Sequence, residues 1–193
     1  MPDPQAKRSY RLTLLLLAFS GVLVLVGFAL PWATATLPLA AGVEGATRAA
    51  EFTGQSMFPG AAAVGWACLA GVAGIFATRS WGRALVGVVI VIAGSVAAFV
   101  PVSFAVAPAS AVNSAASGIV GSPVQVSASV TAWWAAALLG GLCAVLCGAW
   151  TVGRGRSWPT MGSRYERTPR RAAAVSPWDA MDKGEDPTDD LIE

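Results

Sequence analysis

LTLLLLAFSGVLVLVGFAL, residues Leu12 to Leu30, runs for 19 positions without an Asp, Glu, Lys, Arg or His. Wound as an α-helix at about 1.5 Å per residue, such a segment rises roughly 30 Å, the thickness of a bilayer's hydrocarbon core. Three more uncharged stretches follow, Pro59 to Ala77, Ala84 to Val102 and Ala132 to Val152, each 19 to 21 residues long. Of all 193 residues, 55% are hydrophobic and 12% charged, and the charges are clumped outside these stretches. A soluble bundle needs a polar face on every helix, whereas the polar positions here are Ser, Thr and Gly with no charged stripe. The pattern predicts an all-α membrane protein, a four-transmembrane-helix bundle spanning 12–30, 59–77, 84–102 and 132–152.

Arginine placement predicts orientation, because cytoplasmic loops beside membrane spans carry the excess of Lys and Arg. Lys7, Arg8 and Arg11 precede the first span, Arg79 and Arg83 sit in the short TRSWGR turn, and Arg154 and Arg156 follow the last span. Residues 31 to 58 offer only Arg48 against Glu44 and Glu51, and residues 103 to 131 carry no charge. Both termini are therefore expected in the cytoplasm, with residues 1–11 as an N-terminal arm, 12–152 as the domain in the plasma membrane and 153–193 as a mostly disordered tail. The basic start and the ATA at Ala33 to Ala35 resemble a signal peptide, but the apolar run exceeds the usual 7 to 15 residues of such a leader.

Within the spans no ionisable side chain marks a transport path. Gly140, Ala144 and Gly148, and likewise Ala63, Ala67 and Gly71, fall at spacing four. That spacing permits close helix packing or a homo-oligomer seam, although it also arises by chance in a chain this rich in Ala and Gly. Cys68, Cys143 and Cys147 lie in spans without any histidine, so no closed metal site is expected and the thiols read as small apolar residues. Trp32, Trp133 and Trp134 are expected at the outer headgroup boundary and Trp81, Trp150 and Trp158 at the inner one, with Trp66 packed inside. Glu44, Arg48 and Glu51 would share one face of a short helix, an exposed ion-pair row too widely spaced for a carboxylate pair. VQVSASVT, Val124 to Thr131, alternates as a short strand does, or serves as a Ser and Ala spacer. Neither catalytic residues nor a cofactor nor a nucleic-acid partner is expected.

The tail has two blocks of opposite sign. Arg154, Arg156, Arg164, Arg167, Arg170 and Arg171 face only Glu166 and are expected on anionic headgroups, worth up to about 1 kcal/mol each. From Asp179 onward the balance is acidic. Ser176, Pro177 and Asp179 form a helix start near 177–183, closed by Gly184. This short turn puts Trp178 and Met181 on one side and orders best against a partner. A docking surface is expected from Trp178, Asp179, Met181, Asp182, Asp186 and Pro187.

RYERTP at Arg164 to Pro169, WDAMDKGEDPT at Trp178 to Thr188, LPWATATL at Leu30 to Leu37 and the Arg79 to Arg83 turn resemble the actinobacterial tryptophan-associated (Trp biosynthesis-associated) membrane proteins. The resemblance covers nearly the whole chain. It implies a place beside tryptophan-biosynthesis genes, and it assigns neither a biochemical activity nor site residues. An accessory membrane protein with a docking tail is the expected function; the alternatives are a subunit of a tryptophan or indole-precursor exporter and a structural envelope protein. Alkaline phosphatase fused after Ser56 or after Ser117 is expected to be active, since that enzyme works only outside the cytoplasm; silent fusions at both sites would refute the orientation.

Overall fold

The computed structural model describes residues 4–38, 47–79 and 81–158. Along the chain come α1 (Pro4–Ala29), β1 (Pro31–Pro38), β2 (Thr47–Thr53), α2 (Gly54–Met57), α3 (Ala63–Ala77), α4 (Trp81–Val106), α5 (Pro108–Val120), β3 (Ala128–Val130) and α6 (Trp134–Arg154), closed by a 3₁₀ turn at Gly155–Ser157. Among the described residues, three helices are long and apolar enough to cross a bilayer: α1 from Arg8 to Ala29, α4 and α6. The fourth apolar helix, α3, has 15 residues and starts later than the uncharged run suggests. Ahead of it Gly60 adopts a positive φ of 87°. Tight i to i+3 bonds, from Ala61 N–H to the Phe58 carbonyl and from Ala63 N–H to the Gly60 carbonyl, wind the intervening turn. Both α1 and α4 extend beyond their uncharged stretches. α4 runs through Pro101, whose missing N–H leaves the Ala97 carbonyl without its usual partner. Such a residue is tolerated in a membrane helix whose neighbours enclose it, and the Pro101 ring is fully buried.

The fold is mostly helical, and the all-α expectation needs correcting: a three-stranded antiparallel sheet with the order β2-β1-β3 covers one end of the helices. Its central strand is PWATATLP. Alternation turns Ala33, Ala35 and Leu37 inward, where they are buried, and pairs Ala33 with Phe52 and Ala35 with Ala50. Period-two patterning in a stretch dominated by Thr and Ala is too weakly apolar to announce a strand by itself, and β1 is specified by its partners on both sides. β3 takes up part of the alternating 124–131 stretch. There the Thr34 and Ser129 hydroxyls meet at 2.7 Å, and Thr131 N–H donates to the Trp32 carbonyl at 2.8 Å. The preceding residues are extended and held by α5, an unforeseen helix in the uncharged loop: Ser117 Oγ accepts from Val124 N–H and Asn113 Oδ1 from Val126 N–H. Gly121, at φ 77°, ends α5 in the left-handed conformation. The expected helical row of Glu44, Arg48 and Glu51 is also overturned. Arg48 and Glu51 lie in β2, where an odd separation sends them to opposite faces, and Glu44 lies outside the described residues.

Two core clusters stack along the bundle. At the sheet end Trp32 is fully buried between Phe28, Phe58 and Phe104, with ring centroids 5.1, 6.1 and 5.2 Å away. Its indole N–H donates to the Gly27 carbonyl at 2.7 Å. A Cβ on Gly54 would come within 2.6 Å of the same ring, so α2 seats on the indole only through a glycine. Trp32 is thus a core residue and not the headgroup marker its position suggested. Trp66 departs in the opposite sense, being 66% exposed where packing was expected. Trp81, Trp133 and Trp150 are exposed, as boundary residues should be. The second cluster gathers Leu17, Cys68, Ile75, Ile90, Ala144, Cys147 and Trp158.

Because lipid tails are as apolar as leucine, helices in a bilayer gain little by hiding apolar surface and rely on close packing. The most extensive pairing here, α4 with α6, meets that condition with glycine. A Cβ on Gly141 would lie 2.6 Å from Ala98 N, and one on Gly148 2.9 Å from the Gly87 carbonyl oxygen. Gly140, Ala144 and Gly148 are all buried inside the bundle, which assigns that stripe to intramolecular packing, whereas Ala63 and Ala67 are exposed. Gly141→Ala is expected to cost about 1–3 kcal/mol by overpacking. Gly153→Ala, about three turns further along the same helix with nothing within 4 Å of the added methyl, should be neutral or stabilising. Thermal unfolding of the two variants in detergent checks the contrast.

Candidate functional site

The end of the bundle opposite the sheet gathers the start of α1, the end of α3, the start of α4 and the end of α6. The charges collect there too. Arg8, Arg11, Arg79, Arg83, Arg154 and Arg156 all belong to these segments, while Arg48 and Glu51, the latter the one acidic side chain among the described residues, sit in β2 at the other end. Five of the six arginines are exposed. Arg83 is 3% exposed.

Its burial has a specific cause. The last carbonyls of a helix have no partner within it and carry the negative end of its dipole. α3 ends at Ala77, and the next helix begins after so short a turn that Arg83, on the first turn of α4, lies level with those carbonyls. Arg83 Nε donates to the Ile75 carbonyl at 3.3 Å and to the Thr78 carbonyl at 3.1 Å. From the other side of the guanidinium, Nη1 donates to the carbonyls of Gly155 at 3.3 Å and Trp158 at 3.1 Å. The Tyr10 ring lies 5.4 Å from the guanidinium carbon and meets the edge of Trp158 at 5.4 Å, and the Trp158 indole N–H donates to Ser9 Oγ at 3.1 Å. One cation therefore joins α3, α4 and the turn after α6, with α1 tied in through Tyr10 and Ser9. Trp158, expected at the headgroup boundary, is instead 3% exposed and part of this knot.

Positive-inside reasoning treats Arg83 as one more cytoplasmic charge and misses its structural role. The usable signal is the spacing: an arginine four residues after Arg79, in a turn too short to let its side chain reach water without first passing the end of α3.

Of the residues expected to touch anionic headgroups, Arg154 and Arg156 lie at this same end. Arg154 stacks over the Trp150 ring at 4.4 Å, a cation–π contact at the boundary depth that tryptophan favours. Arg164, Arg167, Arg170 and Arg171 lie outside the described residues, as do the docking candidates Trp178, Asp179, Met181, Asp182, Asp186 and Pro187 and the short helix near 177–183.

Two concavities lie on the surface of the described residues. Beside the arginine end, α1 and α6 enclose an apolar groove of about 330 Å³ between Leu12, Leu16, Leu146 and Trp150. At the sheet end, Met57 and Phe58 face Ser103, Ser110 and Ser114 across a cavity of about 430 Å³. Ser103 and Ser110 already donate to the carbonyls of Val100 and Ala107, so few donors remain there for a ligand. The three thiols are free, with Cys68 and Cys147 buried and Cys143 Sγ turned to the Leu16 carbonyl at 3.8 Å. Among the described residues no group of three or more His, Cys, Asp or Glu side chains is arranged to hold a metal ion. What the arrangement offers is binding chemistry: fixed cations beside an apolar groove.

Replacing Arg83 by Met leaves four carbonyls without their donor, and each hydrogen bond to a charged group is worth about 1.5–3 kcal/mol. The variant is expected to lose several kcal/mol and to release the chain after α6, read as faster tryptic cleavage at Arg156. Arg83→Lys should recover only part of the loss, since one ammonium cannot reproduce the planar fork that serves both pairs of carbonyls.

Comparison with known proteins gives a consistent placement. No curated protein and no solved structure matches the chain. A family model described as tryptophan-associated transmembrane protein matches residues 14–188, from the first apolar helix through the acidic block near the C-terminus. The chain belongs to the tryptophan-associated transmembrane protein family.

Proposed function

We propose that this protein is a four-span, non-enzymatic accessory protein of the plasma membrane, with both termini in the cytoplasm and a tail that docks a partner linked to tryptophan supply. The fourth span is α3 extended by the wound turn ahead of it. Fifteen helical residues rise about 22 Å, and the turned residues from Phe58 to Ala62 carry the chain on from there toward the sheet end. Gathering of six of the seven described arginines at one end supports the cytoplasmic placement of that end, and the sheet with α5 then forms an outer cap. The polybasic root of the tail, Arg154 to Arg171, rests on anionic headgroups in this reading.

The observation that carries the docking role is the Arg83 knot. Through it Trp158 is held against α1 and α4, so the stretch that follows α6 is tied to the bundle as far as the described residues run. Order gained on binding is typical of short segments with capping signals but too few residues to fold alone.

The test places a photo-crosslinking residue at position 180, inside the expected turn, in the full chain in intact cells. One discrete adduct is expected, reduced at least tenfold when Trp178 and Met181 are replaced by Ala, with membrane insertion unchanged. An adduct pattern indifferent to those substitutions would remove the docking role.

A further inference from the structure

The groove between α1 and α6 has a structural origin that separates it from ordinary surface roughness. The close approaches of this helix pair are made by Gly27, where a Cβ would lie 2.4 Å from Ala137 N, and by Gly140, where one would lie 2.9 Å from Val24 N. Both lie toward the sheet end. From Pro4 to Ser20, α1 has no glycine, so side-chain bulk holds the helices apart toward the arginine end and a wedge remains. Along each wall the lining residues recur at helical spacing beneath an arginine. On α1, Arg8, Leu12 and Leu16 share one row. On α6, Leu146, Trp150 and Arg154 form the facing row, with Arg154 stacked on the Trp150 ring. From Ser9 to Leu16 the groove runs about 10 Å along the helix, roughly two-thirds of one leaflet of hydrocarbon.

An apolar slot open toward lipid, with the Arg8 and Arg154 rows ending at headgroup depth, matches one class of ligand in shape and charge. We propose that the groove holds an acyl chain of a single anionic glycerophospholipid, with its phosphate between Arg8 and Arg154. Ser9 and Thr13 line the slot where the glycerol ester region would sit, with their hydroxyls already bonded within the protein, so the headgroup contact falls to the arginines. The inference rests on the reading of this end as the headgroup level of the membrane, but it does not depend on the tail.

The experiment is native mass spectrometry of the detergent-purified full chain, titrated with dioleoylphosphatidylglycerol or with dioleoylphosphatidylcholine. The expected result is one phosphatidylglycerol adduct held at least tenfold more tightly than the phosphatidylcholine adduct. Arg8→Gln with Arg154→Gln should erase that preference. Leu146→Trp, which fills the slot while leaving every charge in place, should weaken binding of the tight adduct by a similar factor. Changing Arg164, Arg167, Arg170 and Arg171 to Gln together should leave it intact. Equal binding of the two lipids by the unaltered chain overturns the proposal. So does a preference that survives the groove variants and vanishes with the tail variant, and that outcome would leave the tail's own contact with anionic headgroups standing.

Discussion

Backbone contact between α4 and α6 is the constraint from which the rest of the bundle follows. Within lipid the gain from bringing two helices together comes from packing and from the freeing of lipid tails, and both grow as the helix axes approach. Gly87 and Gly94 on α4 face Gly148 and Gly141 on α6, and at each of these positions a side chain would meet backbone or the Cβ of a small residue. The remaining helices are added to this pair: α1 lies on α6 through Gly27 and Gly140, and α3 lies on α1 through reciprocal contacts of Gly21 and Gly65. Large residues are left to face outward, which explains the exposure of Leu15, Phe19, Ile92, Phe99 and Leu146 on the surface of an otherwise tightly packed unit.

The two ends of the bundle are closed by different means. At the sheet end Trp32 reaches down from the first strand and fills the space between α1, α2 and α4, so the cap and the helices share one apolar core. Burying an aromatic ring of this size is worth roughly 4–6 kcal/mol where the alternative is water. At the other end the closure is polar. The carbonyls that terminate α3 and the turn after α6 converge on one guanidinium, so one residue satisfies four acceptors that lipid could not. The apolar plug resists separation of cap and bundle, and the cationic tie fixes where the chain leaves.

Much of this was legible in the sequence, and the limits are instructive. Uncharged runs of membrane length located the apolar helices, since exclusion of charge is a requirement of the solvent and does not depend on which helix packs on which. Motifs in the loops and the tail gave the family. The sheet was hidden because β1 is built from Thr and Ala, residues whose strand character comes from pairing partners distant in sequence. α5 was hidden for a related reason: its Ser, Ala and Gly content resembles a spacer until Asn113 and Ser117 are seen holding the segment that follows. At the arginine end, residue type gave the sign of the charge, but the burial of Arg83 depends on the ends of two other helices meeting there. The same limit applies to the groove, which is created by where glycine is missing on α1.

The acceptors of Arg83 have an order in the chain. Ile75 and Thr78 precede it, but Gly155 and Trp158 lie 72 and 75 residues later. During synthesis the α3–α4 hairpin therefore forms with the local carbonyls of Ile75 and Thr78 at hand, and the acceptors on Gly155 and Trp158 come only after the final helix has emerged from the ribosome. Until α6 arrives, the glycine face of α4 also lacks its partner. Assembly of this bundle is consequently completed from the C-terminal side, and a nascent chain stopped short of α6 would leave the glycine face of α4 uncovered and Arg83 without its acceptors on Gly155 and Trp158.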